Sequence, residues 1–235
     1  MRTELGRRKW LLLLLAVDIV LLCVAGIGSQ TSLGESNMMQ SNSWGVHAQS
    51  EGKKIALTFD DGPNHIYTDP LLDGLKERGV KATFFLIGNE VTKYPEIARR
   101  IAQEGHVIGN HSFYHVDLSL LSEDEAILQV ARTNEVIYEA TGQYPQFLRP
   151  PFGKNHPTSA YEPPMIEVLW TVDSRDWELD DVATVMGNVL PVIEDNSIIL
   201  MHDASSTSVA AALAVVDCLM EEGYMFVTLD EILFP

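Results

Sequence analysis

From about position 53 onward, short apolar runs alternate with stretches in which apolar residues recur every three or four positions. Residues 54–59, 82–87, 106–109, 146–149, 167–172, 197–201 and 225–229 have the length and the β-branched and aromatic content of strands. Helical periodicity lies between several of them: Leu71, Leu72 and Leu75 before Gly79; Ile97, Ala98 and Ile101 before Gly105; residues 126–140 before Gly142; and residues 209–220 before Gly223. Each glycine falls where a helix C-terminus favours a left-handed residue. Alternation of strand and helix predicts a parallel α/β sheet or barrel. Seven strands fall short of the eight strands and ~250 residues of a full TIM barrel, so the expected architecture is a distorted, incomplete (β/α) barrel of about seven parallel strands. One stretch breaks the rhythm. Residues 154–164 (KNHPTSAYEPP) contain three prolines and no apolar period, which predicts loop.

The first 52 residues follow another pattern. Arg7, Arg8 and Lys9 precede nineteen mostly apolar residues, 10–28, close to the ~20 that cross a hydrocarbon core as a helix. Residues 1–28 therefore read as an export signal or an N-terminal membrane anchor, with the basic flank cytoplasmic and the remainder exported. Asp18 weakens an anchor, and Gly26 with Gly28 offers a small-x-small cleavage pattern, so both fates stay open. Residues 29–52 are rich in Ser, Asn, Gln and Gly and read as a flexible tether. The folded domain is expected over 53–235.

Charge narrows the partners. The chain carries 16 Lys and Arg against 33 Asp and Glu; with the four basic and three acidic residues of the first fifty set aside, 12 basic and 30 acidic side chains remain, net −18. Nucleic acid is excluded, because phosphate neutralisation needs clustered Lys and Arg. Anionic polymers are repelled at long range, whereas neutral or cationic substrates are not. The cysteines are Cys23, in the apolar run, and Cys218; a single thiol in the expected domain gives no internal disulfide, and Cys218 reads as a small buried hydrophobe.

In parallel α/β architectures, chemistry sits at the carboxyl ends of strands. Asp60 and Asp61 end the first strand, ahead of a Gly62-Pro63 turn; consecutive strand residues point opposite ways, so only a turn brings both carboxylates to one site. His111 and His115 follow the third strand at i and i+4, which on one face of a helical turn converge on one metal ion, although without a glutamate between them. Arg149-Pro150-Pro151-Phe152-Gly153 follows the fourth; two prolines stiffen the turn and fix the direction of the Phe152 N–H, a donor suited to an oxyanion. The fifth and sixth strands end in Asp173-Ser174-Arg175-Asp176-Trp177 and Leu200-Met201-His202-Asp203. An Asp beside a His sets its tautomer and raises its pKa, while Trp177 and Leu200 offer an apolar wall. Each motif alone has a plain structural explanation: a solvated loop, packed histidines, a rigid surface turn, a rim tryptophan, a helix cap at Asp203. Five such coincidences at five successive strand ends are far harder to accept. His47, His65, His106 and His156 lack partners at ligand spacing and read as surface or packing residues.

Thr58-Phe59-Asp60-Asp61-Gly62-Pro63, His111-Ser112-x-x-His115, Arg149-Pro-Pro-Phe-Gly153, Asp173-x-x-Asp176-Trp177 and Leu200-x-His202-Asp203 resemble, in order, the five motifs of the polysaccharide deacetylase family, the NodB homology domain of carbohydrate esterase family 4. The resemblance spans about residues 53–235 and implies a distorted (β/α) barrel that removes acetyl groups from a polymeric sugar with a divalent metal. It implies Asp61, His111 and His115 as metal ligands, with zinc as the expected ion and cobalt, nickel or manganese also compatible with such donors. Asp60 becomes the general base, held by Arg149; His202 becomes the general acid, oriented by Asp176. The Phe152 N–H faces the oxyanion, and Leu200 and Trp177 line the acetyl pocket. The chain departs from the family pattern at residues 154–164, where a helix usually follows the third motif, and this bears on the shape of the substrate groove.

The leading expectation is an extracytoplasmic deacetylase, membrane-anchored or secreted, acting on an N-acetylated wall glycan, peptidoglycan N-acetylglucosamine above others. It would touch the membrane only through residues 1–28, if these are retained. An O-acetyl esterase on a xylan-type glycan keeps the site and changes the bond. An inactive glycan-binding wall protein keeps the fold alone. A zinc peptidase fits less well, because the apparent base adjoins a metal aspartate rather than lying between two histidines.

Overall fold

The computed structural model describes residues 52–157 and 160–235. The expected signal or anchor at 1–28 and the tether, save its last residue, lie outside the described residues. In chain order the elements are β1 (Lys54–Asp60), α1 (Thr68–Glu77), β2 (Thr83–Leu86), α2 (Gly88–Lys93), α3 (Pro95–Gln103), β3 (Val107–Asn110), α4 (Glu123–Thr141), β4 (Phe147–Leu148), β5 (Ile166–Glu167), β6 (Val172–Asp173), α5 (Val182–Val189), β7 (Ser197–His202), α6 (Ser206–Glu221), β8 (Met225–Val227) and α7 (Leu229–Leu233). Every pairing is parallel, in the order β5-β4-β3-β2-β1-β7-β6, with β8 against β1. Along one edge of β1, β8 pairs with residues 54–56 and β2 with residues 58–60.

The expected strand at 167–172 is two short strands at the ends of one extended stretch. It starts on β4, with Ile166 opposite Phe147, and finishes on β7, with Asp173 opposite Leu200. Between them the Val168 N–H bonds Leu148 O and the Thr171 N–H bonds Ile198 O. A single segment therefore spans from one margin of the sheet to the other, and seven strand positions curl into an incomplete barrel.

Alternation along the strands divides the core. Ile55, Leu57 and Phe59 of β1 join Leu71, Leu72, Leu75, Val215 and Val216 between sheet and helices, whereas Ala56 joins Phe85, Phe147, Val168 and Leu229 in a separate cluster. Thr58 and Asp60, on the same face as Ala56, meet the buried Arg149. The helices end as their glycines require: Gly79, Gly105, Gly142 and Gly223 all have positive φ. α4, the longest, opens with a reciprocal Ser122–Glu125 capping box. Residues 154–157 and 160–165 contain no helix, as the prolines predict, and the Asn155 side chain donates to Glu167 Oε2 at 2.7 Å.

Three helices are absent from the sequence expectation. α2 and α5 have only six and eight residues, too short for a clear period, although Asp181 caps α5 through the Thr184 N–H. α7 begins where the last strand was expected to end, because Thr228 and Glu231 form a capping box after β8. Cys218 is half-buried rather than buried: it lies between exposed Asp217 and buried Leu219, at the margin of the face that α6 buries.

Candidate active site

The site assembles where β1, β3, β4, β6 and β7 end. Register puts Asp60 beside His202 on adjacent strands. Asp61 leaves the strand with φ 75°, in the left-handed region. That turn lets consecutive carboxylates reach one cavity, as the strand-end argument required.

Asp61, His111 and His115 place one potential ligand atom each within 4.8 Å of one another, although residues 111–115 form an irregular loop with Ser112 and His115 at positive φ rather than the expected helical turn. Asp61 Oδ1 lies 3.4 Å from His111 Nε2 and 3.2 Å from His115 Nε2, and it is a buried oxygen without a hydrogen-bond partner. Ligands about 2.0–2.1 Å from a tetrahedral ion stand about 3.3 Å apart, so the donor set fits a divalent cation such as zinc. His111 Nδ1 donates to Arg149 O at 2.6 Å, which leaves Nε2 as the lone-pair nitrogen and fixes the ring. Burial works to raise the pKa of Asp61, but the neighbouring His111, His115 and His202 overcome it and hold the carboxyl at about 2. Burial lowers the pKa of His115, favouring the neutral ring that a metal needs.

Asp60 is 3% exposed, and its Oδ1 accepts from Arg149 Nη1 at 2.8 Å. Arg149 is fully buried inside the barrel. It also donates to Thr58 Oγ1 at 2.7 Å, Val168 O at 3.1 Å and Leu169 O at 2.9 Å, and lies 4.1 Å over the Phe85 ring. Burial pushes its pKa down, opposed by Asp60. With hydrogen bonds on each guanidinium nitrogen, this buried charge is paired as such charges must be.

On the adjacent strand, His202 Nδ1 donates to Asp176 Oδ1 at 2.8 Å, and the His202 N–H donates to Asp176 Oδ2 at 2.9 Å. Ser174 Oγ donates to the same Oδ1 at 2.9 Å. Burial opposes the charged ring, but the Asp176 hydrogen bond and charge, helped by Asp60 and Asp61, raise the His202 pKa to about 9. Asp176, not Asp203, is thus the partner of His202. Nor does Asp203 cap α6, whose N-cap is Ser205; its buried carboxyl accepts from Thr68 and is pushed up to about 7 by burial.

Phe152 has φ 60° and a 60% exposed ring set edge-on to His115, 4.8 Å between centroids. Gly153 and Lys154 bond back to Pro150 O and Pro151 O, and the Phe152 N–H has no protein acceptor among the described residues. A cavity of ≈320 Å³ gathers Asp60, Asp61, His111, His115, Phe152, Trp177, Leu200 and His202, at the small end of the roughly 300–1,000 Å³ typical of ligand sites. Arg149 and Asp176 stand behind it, each bound to a residue that lines it. Trp170 and Asp173 also line the cavity and carry no role in the sequence reading. Asp173 lay within a quoted motif, but Trp170 sits on the crossing stretch, whose side-chain direction no strand period reveals. Of the other histidines, His106 is a packing residue: it accepts the Ala82 N–H on Nδ1 and meets the Phe84 ring edge-on.

A curled parallel barrel whose strand ends bring together an Asp-His-His donor set, an arginine-held carboxylate and a charged histidine has the layout of a metal-assisted hydrolase. The family model described as polysaccharide deacetylase matches residues 47–162. Among similar proteins, the peptidoglycan-N-acetylglucosamine deacetylase PgdA of Listeria monocytogenes is 39% identical over 180 residues, 77% of this chain and 39% of its own length. A peptidoglycan-N-acetylglucosamine deacetylase of Bacillus cereus is 42% identical over 183 residues, 75% of this chain and 66% of its own. The solved structure of peptidoglycan deacetylase PdaC from Bacillus subtilis superposes with a TM-score of 0.75 at 38% identity, covering 77% of this chain and 90% of that one. The chain belongs to the polysaccharide deacetylase family. It spans about two fifths of the length of the Listeria relative.

Proposed function

We propose that the chain is a metal-dependent deacetylase that hydrolyses N-acetyl groups of peptidoglycan, N-acetylglucosamine above others, releasing acetate and leaving a free amine. The observation that carries the reading is that one cavity gathers an arginine-held Asp60, an Asp176-held His202 and the Asp61-His111-His115 donor set. A divalent metal held there, zinc in this reading, would supply Lewis-acid polarisation of the acetyl carbonyl and a lowered pKa for water.

The protein's own groups account for the remaining steps. Asp60, fixed by Arg149, takes the proton of the attacking water. The Phe152 N–H, aimed by the two prolines, donates to the carbonyl oxygen as charge gathers on it. His202 holds its Nδ1–H to Asp176, and its raised pKa keeps a second proton on Nε2 at neutral pH, which it passes to the departing sugar nitrogen. Leu200, 5% exposed, and Trp177, 62% exposed, form the apolar wall for the acetyl methyl and sugar ring. Residues 1–28 would carry the domain out of the cytoplasm as signal or anchor, with 29–52 as tether and 53–235 as the catalytic domain; the wall substrates named for the relatives support that placement.

The test is acetate release by the full chain from N-acetylglucosamine oligomers and peptidoglycan beside an acetylated xylan. Release from the N-acetyl substrates is expected. Release from xylan alone would move the function to ester cleavage, and binding without release would leave a glycan-binding protein.

A further inference from the structure

We propose that Thr68 and Asp203 are positioning residues that fix the turn carrying Asp60 and Asp61 against the strand end carrying His202; this rests on the roles given to those three residues above. Asp203 is 1% exposed and touches none of the reacting groups through a hydrogen bond. Its Oδ2 accepts a hydrogen bond from Thr68 Oγ1, at the start of α1. Thr68 is itself fully buried, and its Oγ1 accepts the Asn64 N–H at 2.6 Å. A relay thus runs from the residue after His202, through Thr68, to the backbone just beyond the Asp60-Asp61-Gly62-Pro63 turn.

The carboxyl also packs directly on that turn. A Cβ at Gly62 would stand 2.6 Å from Asp203 Oδ2 and 3.0 Å from Oδ1, so only glycine leaves room. On the other side, Gly62 O accepts the Ile87 N–H at 2.9 Å. The turn is gripped from the β7 end and from the β2 end. Such a grip has a purpose, because Asp61 holds a left-handed conformation that is strained for a non-glycine residue and persists only where its surroundings enforce it. Without the relay, Asp61 is free to relax toward an ordinary strand exit, turning its carboxylate away from His111 and His115.

The experiment uses the full chain with Thr68→Val and Thr68→Ser. It reads zinc affinity by chelator competition, kcat and KM on N-acetylglucosamine oligomers, and hydrogen exchange at the Asn64 amide. Thr68→Val is expected to weaken zinc binding and lower kcat about tenfold each, the size seen when a group supporting a metal ligand is lost, with KM little changed. Thr68→Ser, which keeps the hydroxyl, is expected to restore both. The Asn64 amide should be protected in the parent and in Thr68→Ser. Unchanged zinc affinity in a folded Thr68→Val protein, or equal damage in Thr68→Ser, would overturn the proposal. Should Thr68→Val fail to fold, an Asn64 amide in the parent that exchanges like an open loop overturns it equally. A chain that binds zinc but releases no acetate defeats the deacetylase reading, while zinc affinity and amide exchange still judge the relay.

Discussion

Among the described residues Arg149 is the largest fully buried side chain and the only lysine or arginine paired with Asp60. Replacing it with methionine keeps the bulk but leaves Asp60, Thr58 and two backbone carbonyls without their donor. Breaking a buried pair in this way costs about 3–5 kcal/mol, which urea unfolding should register as a lowered midpoint. Asp60→Asn is a different case: the amide still accepts from Arg149, so the fold should hold while kcat falls at least about 100-fold. Acetate release by a folded Asp60→Asn protein at the parent rate would remove Asp60 as the base. His202 predicts a pH effect. Its pKa of about 9 lies above the ordinary 6.5, so the protonated ring is the favoured folded form. The stability drawn from the Asp176 pair is fully present below pH 6.5 and is lost as pH rises through about 9. The transferable proton goes with it. The alkaline limb of kcat should therefore lie near 9 and move to lower pH in Asp176→Asn; a limb unmoved by that substitution would separate Asp176 from the acid.

At the level of elements, the outcome depends on how much of each signal is local. Strands with long apolar runs, such as β1 and β7, and helices with caps and periodicity, such as α1, α3, α4 and α6, were legible in the sequence alone. So were the strand-end residues: the Asp-His-His set and the Asp60–Arg149 and Asp176–His202 pairs were named by motif, and the structure brings each set together. What was not legible depends on contacts distant in sequence. The stretch from β5 to β6 changes partner midway, which no periodicity records, and this hid Trp170 from the site. Asp203 looked like a helix cap, because its partner, Thr68, is 135 residues away. Capping chemistry remains testable in isolation. Ser122→Ala removes one half of the α4 capping box and should cost about 1 kcal/mol, read as a small fall in thermal midpoint with kcat unchanged. No loss of stability would mean that α4 is held by its packing alone.

The whole molecule adds a field to this local chemistry. A net charge of −18 over residues 51–235 accompanies a site whose Asp-His-His donor set would hold a cation and which we propose releases an amine. Anionic wall material meets long-range repulsion that salt screens within about 10 Å at 0.1 M. KM for isolated wall should fall as salt rises from about 10 mM to about 100 mM, while KM for neutral N-acetylglucosamine oligomers stays flat. A salt response equal for both would show that the overall charge plays no part in substrate approach. The central claim, a deacetylase whose chemistry depends on a metal at Asp61, His111 and His115, is tested most directly by stripping the full chain with a chelator and returning zinc while following acetate release from N-acetylglucosamine oligomers. The account predicts that release stops on stripping, returns with one zinc per chain, and does not return in His111→Ala. Release that survives stripping, or that zinc restores equally in His111→Ala, would contradict it.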